Sequence, residues 1–188
     1  MKVSKNDISL SELKREEVPV FAAYLAQLGD DPTIGPIIDK TKIPSEEQLI
    51  EKLSMSLPLN KVDSETLIIH LNGQAIGHHS INPLQYGDCG VFHAHIWQKE
   101  HRRLGICSWT YPMAGIYFIE KFHLKRIVYN TPRTNEKAVK LKEKIGYRAI
   151  GEGIANNSGL LVDGTEVVFF EADLKFLKTI LHQLEESG

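Results

Sequence analysis

The sequence predicts a single mixed α/β domain built around a central β-sheet. Short β-branched runs flank an Asn72-Gly73 pair, a strong signal for a hairpin of two antiparallel strands. Further along, a strand-like run at 91–97 leads into a helix-like run at 106–122, and strands and helices alternate from there. With 188 residues, 42% of them hydrophobic, the chain can bury a substantial core. We therefore expect one domain over residues 1–188.

Two helices are predicted before the hairpin. Residues 11–28 carry apolar side chains at helical spacing, with Ser11 in the position of an N-cap. A turn-rich stretch with three prolines, residues 30–44, separates this helix from the next. Ser45 then precedes two glutamates, whose charge favours the start of a second helix that we expect to end near Met55.

Three strands are predicted in the middle of the chain. Residues 66–71 and 74–81 form the hairpin, and after a loop at 82–90 the run at 91–97 returns as a third, antiparallel strand. Gly77 interrupts the second strand and indicates either a bulge or a close backbone contact.

The rest of the chain alternates helices with strands. The helix at 106–122 contains Pro112, which removes an N–H group and is expected to kink it. The other predicted elements are a strand at 126–131, a helix from Asn135 to Gly146, strands at 150–155 and 165–171, and an amphipathic helix at 173–185.

A basic, glycine-containing turn at 102–108 joins the third predicted strand to the next helix. Gly105 lets a ligand approach the backbone closely, and the unpaired N–H groups that open a helix attract anions. The spacing Arg102-x-x-Gly105-x-Cys107, followed by Ser108, resembles the Q/R-x-x-G-x-G/A signature of the GNAT superfamily of acyl-CoA-dependent N-acetyltransferases.

A second stretch, residues 135–147, strengthens this resemblance. An asparagine opens a helix that ends in Gly-Tyr, which is similar to the other recognisable stretch of the family. The resemblance covers roughly residues 64 to 172. It implies a GNAT-like α/β fold, with a mostly antiparallel central sheet that is flanked by helices and splayed between its fourth and fifth strands.

The resemblance also implies a function, the transfer of an acetyl group from acetyl-CoA to a primary amine by direct attack in a ternary complex. In the family the cofactor lies in the wedge between the splayed strands. The backbone of His95, Ile96 and Trp97 would then bond the pantetheine amides, and the turn would hold the pyrophosphate. The cofactor-binding residues predicted in this way are Ile96, Trp97, Arg102, Arg103, Leu104, Gly105, Ile106, Cys107, Ser108 and Asn135.

His93 and His95 are the candidates for the catalytic base. They lie two residues apart on a strand and therefore share one face. Imidazole is suited to remove the proton from an attacking amine, and such a base predicts a rate that rises with pH through the imidazole range. The equally weighted alternative is two half-buried histidines whose nitrogens are satisfied by the backbone or by water.

The general acid has no candidate in the sequence. Many GNAT enzymes have a tyrosine four residues before the glycine of the second stretch, where this chain has Lys142. We interpret Lys142 as a solvated surface residue, and the alternative is that its charge stabilises the leaving thiolate or contacts the cofactor. The branch that acetylates protein N-termini, including ribosomal proteins, commonly lacks this tyrosine, and the chain looks more like that branch. Cys107 replaces the usual Gly or Ala and is either a small buried side chain or a thiol with a lowered pKa.

Two other functions stay open. If the loop at 82–90 is centred near Tyr86, His79 lies opposite His93, and with His95 three imidazoles converge as in a zinc site of a metal-binding module or hydrolase. Because this reading leaves the basic turn unexplained, we expect no metal. The other alternative is a catalytically silent GNAT domain that binds acyl-CoA.

Composition narrows the range of partners. The formal net charge is −2 with both signs interspersed, which favours neither nucleic acid nor an anionic membrane as partner. No apolar run approaches the ~20 residues that span a bilayer, and the first ten residues lack the apolar core of a secretion signal. With two cysteines and no disulfide pattern, we expect a cytoplasmic protein. The acceptor, a small-molecule amine or a protein amine, and the oligomeric state are not specified.

Overall fold

The computed structural model describes residues 3–55, 57, 64–155 and 159–187. Its strands are β1 (Ile8–Glu12), β2 (Glu65–Leu71), β3 (Gln74–Gln85), β4 (Cys89–Ile96), β5 (Arg126–Pro132), β6 (Arg148–Ala155) and β7 (Thr165–Ala172). Its α-helices are α1 (Val18–Ala26), α2 (Glu46–Met55), α3 (Ile106–Phe122), α4 (Glu136–Ile145) and α5 (Leu174–Ser187). The strands form one sheet in the order β1-β2-β3-β4-β5-β7-β6.

The sheet is antiparallel except at its centre, where β4 and β5 run parallel. They pair over only three positions and separate after Val91 and Val128. Beyond that point β5 continues its pairing with β7, while β4 continues beside β3. The sheet therefore opens into a wedge between β4 and β5, as expected for its fourth and fifth strands.

The first predicted helix is wrong at its N-terminal end. Residues 8–12 form the edge strand β1, in which Ser11 pairs with Ile68 of β2 and cannot act as a helix cap. Burial falls from Ile8 to Ser9 and rises again at Leu10, which suits a strand whose inner face packs on the sheet. Helix α1 begins only at Val18, with a proline in its first turn, where no N–H group is needed.

The other predicted elements are confirmed, with small shifts at their ends. Helix α3 has the predicted bounds and contains Pro112 in its buried face, and α4 ends at Gly146 in a left-handed conformation (φ 94°). Gly77 fulfils both of its expected roles. The register slips by one residue beside it, and a Cβ there would lie 2.4 Å from the carbonyl oxygen of His95.

The turn between β3 and β4 is tighter than the predicted loop at 82–90, because β3 continues to Gln85 and β4 already begins at Cys89. Leu84 pairs with Gly90, but Ile81 pairs with Phe92. Residues 82 and 83 of β3 therefore face the single residue 91 of β4. This extra residue in β3 fixes the register of everything that follows.

The register gives β4 two distinct faces. Phe92 packs against Tyr111 and Phe118 of α3, in the main hydrophobic core. His95 and Trp97 point to the opposite face and contact aromatic side chains of α1. We call these the α3 face and the α1 face. Among the helices that the structure describes, none combines the length and hydropathy needed to cross a membrane.

Candidate active site

The turn before α3 has an unusual backbone. Arg103 (φ 67°) and Gly105 (φ 82°) both adopt left-handed conformations. For a non-glycine residue such a conformation costs about 1–3 kcal/mol, and it is found preferentially at functional sites. A Cβ built on Gly105 would meet no atom within 4 Å, so the space in front of this residue is open.

The start of α3 offers free backbone donors to that space. Ser108 donates its N–H to the carbonyl of Gly105 (3.0 Å), whereas the amides of Ile106 and Cys107 have no backbone acceptor in the described part of the chain. These amides lie at the positive end of a 17-residue helix dipole. The turn therefore fits a diphosphate, although Ser108 contributes less backbone than the sequence predicts.

Arg102 has its guanidinium turned toward the protein. Nε donates to the carbonyl of Ile96 (3.0 Å), and Nη2 donates to the carbonyl of Trp97 (3.3 Å) and forms an ion pair with Asp31. Burial raises the pKa of Asp31, but the hydrogen bond and charge of Arg102 outweigh burial and hold it below its usual value. The backbone N–H of Arg102 also donates to the carbonyl of Lys99 (3.1 Å), so neither this N–H nor Nε is available for the predicted contact with a cofactor.

The outer half of β4 is available to a ligand on one edge only. Trp97 donates its N–H to the carbonyl of Ile76 in β3 (2.8 Å), so this predicted cofactor contact is already occupied. Backbone groups of successive strand residues point to opposite edges. Ile96 and Ala94 therefore direct theirs into the wedge. Ala94 was missed in the sequence, and only the strand register identifies it.

His95 lies inside an aromatic cluster on the α1 face. Its Nδ1 is 3.0 Å from the hydroxyl of Tyr24, and its ring stacks on that of His78 at 4.9 Å between centroids. Burial lowers the pKa of His95 to about 4, with the neighbouring His93 and Arg102 acting in the same direction. The imidazole is therefore neutral at physiological pH and can accept a proton.

The neighbouring histidines have their tautomers fixed by hydrogen bonds. Trp97 donates its indole N–H to Nδ1 of His78 (3.0 Å), which leaves the proton of this buried ring on Nε2. His93 is exposed and donates Nε2–H to the carbonyl of Asn82 (2.6 Å), so its Nδ1 holds the free lone pair. His93 lies at the rim of the α1 face, farther from the aromatic cluster than His95.

The expected convergence of His79, His93 and His95 on one face is wrong. His79 pairs with Ala94, points to the α3 face and packs against Phe92, because the extra residue in β3 shifts the register. Both of its ring nitrogens lack a hydrogen-bond partner among the residues described. Within the same residues no group of three His, Cys, Asp or Glu side chains has the geometry to hold a metal ion. The metal-site hypothesis therefore loses the arrangement on which it depended.

Lys142 is buried, which contradicts its interpretation as a solvated surface residue. Only 4% of it is exposed, and its Nζ lies 5.2 Å and 5.3 Å from the ring centroids of Tyr111 and Tyr129. Burial lowers the pKa of Lys142 to about 8. A helical signal for this position exists in the sequence, since residue 142 shares a face with Ala138 and Ile145.

The structure also defines the surroundings of Cys107 and Asn135. Burial raises the pKa of the Cys107 thiol to about 11, so the alternative of a lowered pKa is wrong. Asn135 caps α4 by accepting a hydrogen bond from the N–H of Ala138 (3.4 Å). Its side-chain NH₂ group stays available as a donor, as the predicted cofactor contact requires.

The wedge, the basic turn before α3 and the order of the strands define the class of the protein: the chain has the GNAT fold. A crystal structure of spermidine N-acetyltransferase from Vibrio cholerae in complex with CoA and spermine superimposes with a TM-score of 0.75. It is 17% identical, over 93% of this chain and 99% of that chain. RimL, a ribosomal L7/L12 alpha-N-protein acetyltransferase in complex with CoA, matches with a TM-score of 0.74 at 13% identity, over 93% and 97% of the two chains.

These likenesses establish the fold and leave the acceptor undecided, because a polyamine acetyltransferase and a ribosomal-protein acetyltransferase match almost equally well. No protein-family model and no curated protein sequence matches the chain. The site residues must therefore be judged on their own geometry.

Proposed function

We propose that the protein is an acetyl-CoA-dependent N-acetyltransferase that transfers the acetyl group to a primary amine by direct attack in a ternary complex. The observation that carries this proposal is the continuity of the wedge with the turn. The wedge opens where β4 and β5 separate at Val91, and the same strand leads outward to the open space at Gly105.

The dimensions of this path suit an extended cofactor arm. Four residue steps separate Phe92 from Ile96, which corresponds to about 13 Å along a strand. With the pyrophosphate on the amides of Ile106 and Cys107, the pantetheine runs inward along β4 and bonds the backbone of Ala94 and the N–H of Ile96, whose carbonyl already accepts from Arg102. The thioester then lies near Phe92, at the inner end of the wedge, and Asn135 contacts the arm from α4.

His95 is the proposed base, and its environment defines when it acts. An alkylammonium ion is too weak an acid to give its proton to an imidazole with a pKa of about 4. The amine therefore attacks in its neutral form. After attack its nitrogen becomes much more acidic, and His95 takes that proton from the tetrahedral intermediate, with His93 in a secondary role. Holding the two reactants together supplies most of the remaining acceleration.

The acceptor enters from the α1 face, where Tyr24 of α1 contacts His95 and Asp31 of the turn-rich stretch interacts with it electrostatically. The proposal covers a small-molecule amine or a protein amine, in a single cytoplasmic domain that needs neither a metal nor nucleic acid. One structural neighbour is bound to spermine and another is a ribosomal-protein acetyltransferase, so both kinds of acceptor should be tested first.

The experiment is a screen of amines with acetyl-CoA. Polyamines, peptides with free N-termini and aminoglycosides are incubated with the enzyme, and the release of CoA and the mass of the acetylated product are measured. Calorimetry with CoA is performed in parallel. Acetylation of any amine supports the proposal. Binding of CoA without transfer to any acceptor would favour the silent domain, and a failure to bind CoA would refute both.

A further inference from the structure

Lys142 is a buried cation at the inner end of the wedge. Its ammonium lies over the ring of Tyr129, the first residue of β5 beyond the last β4–β5 pair. That ring packs against Phe92, the corresponding first residue of β4, at 5.0 Å between centroids. The side chain therefore points to the place where the two strands separate.

Among the residues that the structure describes, no carboxylate compensates the charge of this ammonium, since none of their ion pairs involves Lys142. The titratable groups that face it are Cys107 and Tyr111 from α3, Tyr129 from β5 and Tyr147 from the end of α4. Burial raises the pKa of each of these groups, so all of them are neutral near pH 7.

A buried cation without an anionic partner destabilises a fold unless something else compensates it. Cation–π contacts with the rings of Tyr111, Tyr129 and Phe170 offset part of the free-energy cost of burying the ammonium. The missing partner is an anion at the inner end of the wedge. In the proposed reaction one anion forms at that place, the thiolate of CoA.

We propose that Lys142 is the catalytic acid of this enzyme and donates its Nζ proton to the departing CoA thiolate, an inference that rests on the proposed function. The amine nitrogen forms a bond with the acetyl carbon, and the carbon–sulfur bond breaks with its electron pair going to sulfur. The Nζ proton of Lys142 moves to sulfur and gives free CoA thiol. Lys142 is left as a neutral amine and regains a proton from solvent. The attacking nitrogen gives one of its two protons to His95, which releases it to solvent, and the product amide keeps the other.

The geometry keeps this acid apart from the base. His95 lies on the α1 face with Tyr24, and Lys142 lies on the α3 face with Tyr111. Attack and departure thus take place on opposite sides of the cofactor, and neither group can neutralise the other directly.

The test compares Lys142→Met, which removes the charge at similar volume, with Lys142→Arg, which keeps the charge but holds its protons too tightly to donate them. We expect both variants to lower kcat by about a hundredfold, the low end for acid catalysis because a thiolate is a good leaving group. Lys140→Met is the matched control, since Lys140 lies on the exposed side of the same helix and should leave kcat unchanged.

The pH profile is the second readout. Burial places the pKa of Lys142 near 8, so the wild-type kcat should fall as pH rises above that value, and both Lys142 variants should lose this limb. An arginine variant with wild-type kcat would overturn proton donation in favour of simple charge stabilisation. A methionine variant that keeps the rate and the limb would overturn any role.

A measurement on the wild-type protein avoids reliance on the variants. With lysine labelled at Cε, the resonance of Lys142 should shift when CoA binds and shift much less with desulfo-CoA, because the proposed contact is with sulfur. Equal shifts with both ligands would refute the contact. These outcomes are separate from failure of the proposed function, which would appear as no wild-type acetyl transfer to any amine.

Discussion

The two faces of β4 carry the two buried titratable groups of the site, and they differ in what burial does to each. On the α1 face, burial lowers the pKa of His95 to about 4 and locks the imidazole in its neutral form. On the α3 face, burial lowers the pKa of Lys142 to about 8 and brings an ammonium close to the point of deprotonation. The same desolvation therefore gives a base that is neutral at physiological pH on one face. On the other face it gives an ammonium whose pKa lies close to neutral pH.

The faces also differ in how their polar groups are satisfied. The α1 face has directional hydrogen bonds, one between the hydroxyl of Tyr24 and Nδ1 of His95 and one from the indole N–H of Trp97 to His78. The α3 face around Lys142 has aromatic rings in their place. Rings hold a cation without fixing its protons, whereas a hydrogen bond fixes a tautomer. The rings around Lys142 therefore suit proton release, and the hydrogen bonds around His95 suit the orientation of a base.

Removal of His95 should give the largest effect. We expect His95→Ala to lower kcat by about 10²–10⁴-fold while the affinity for CoA stays nearly unchanged, because the side chain faces the acceptor and not the pyrophosphate. His93→Ala should have a smaller effect, since this residue lies at the rim. Steady-state kinetics together with calorimetry measure both quantities. A variant that keeps the wild-type rate would show that His95 is structural.

Disruption of the turn at 102–108 should impair the reaction steps on both faces of β4, because it weakens the binding of CoA. Gly105→Asp places a side chain and a negative charge against the phosphates, and we expect the affinity for CoA to fall by about 100-fold or more, equivalent to at least ~2.7 kcal/mol. Gly73→Asp is the matched control, because Gly73 has nearly the same conformation (φ 80°) and equally open surroundings in the hairpin. If calorimetry gives the same affinity for both variants, the turn is not the phosphate site.

Removal of the buried cation should stabilise the fold even as it slows the reaction. The lowered pKa of Lys142 means that the unfolded chain binds its proton more tightly, which costs stability in full below about pH 8 and by a decreasing amount up to pH 10.5. We expect Lys142→Met to raise the unfolding free energy by about 1–2 kcal/mol at pH 7, with a shift of 1.36 kcal/mol per pKa unit partly offset by lost ring contacts. Urea titrations at pH 7 and above pH 10.5 measure this gain, which should vanish at the higher pH. A destabilised variant would indicate a structural lysine.

The pH dependence at the acidic end should be the smallest change under ordinary conditions. The sequence alone predicts a rate that rises through the imidazole range. Burial of His95 moves the limb that belongs to this residue to about pH 4, so its contribution to kcat should be constant from pH 6 upward and should halve at the pKa itself. The His95→Ala variant should lack this acidic limb, provided that circular dichroism shows both proteins folded. A limb near pH 6.5 would mean that another histidine is titrating.

Features with a local cause were predictable from the sequence. The Asn72-Gly73 hairpin, helix α3 and the caps of α4 follow from turn chemistry and helical periodicity, and the two motifs correctly indicated the wedge and the fold. Strand β1 was missed because its five residues adjoin a helical pattern, and only pairing with β2 selects the extended form. Local preference is weak in so short a segment.

The errors within the site have tertiary causes. The position of His79 depends on an irregularity that no spacing rule reveals, and the burial of Lys142 depends on aromatic residues from three other elements. The ion pair of Arg102 with Asp31 joins segments that are distant in sequence. The roles of His95, His93 and the cofactor contacts stay predictions, for which the geometry now supplies definite tests.

The extra residue of β3, opposite Val91, separates the β3–β4 hairpin into two halves whose registers are set independently. The half next to the turn could change its length by one residue, and the irregularity at 82–83 would absorb the change before it reached the pairing of His78 with His95. Removal of Pro83 alone would convert the hairpin into a regular ladder and leave both faces of β4 as they are. Removal of two residues there would shift the β3–β4 register by one residue, and the histidines of β3 would point to the opposite faces of the sheet. The hairpin can therefore vary in length by one residue without a change in the pairing of His78 with His95.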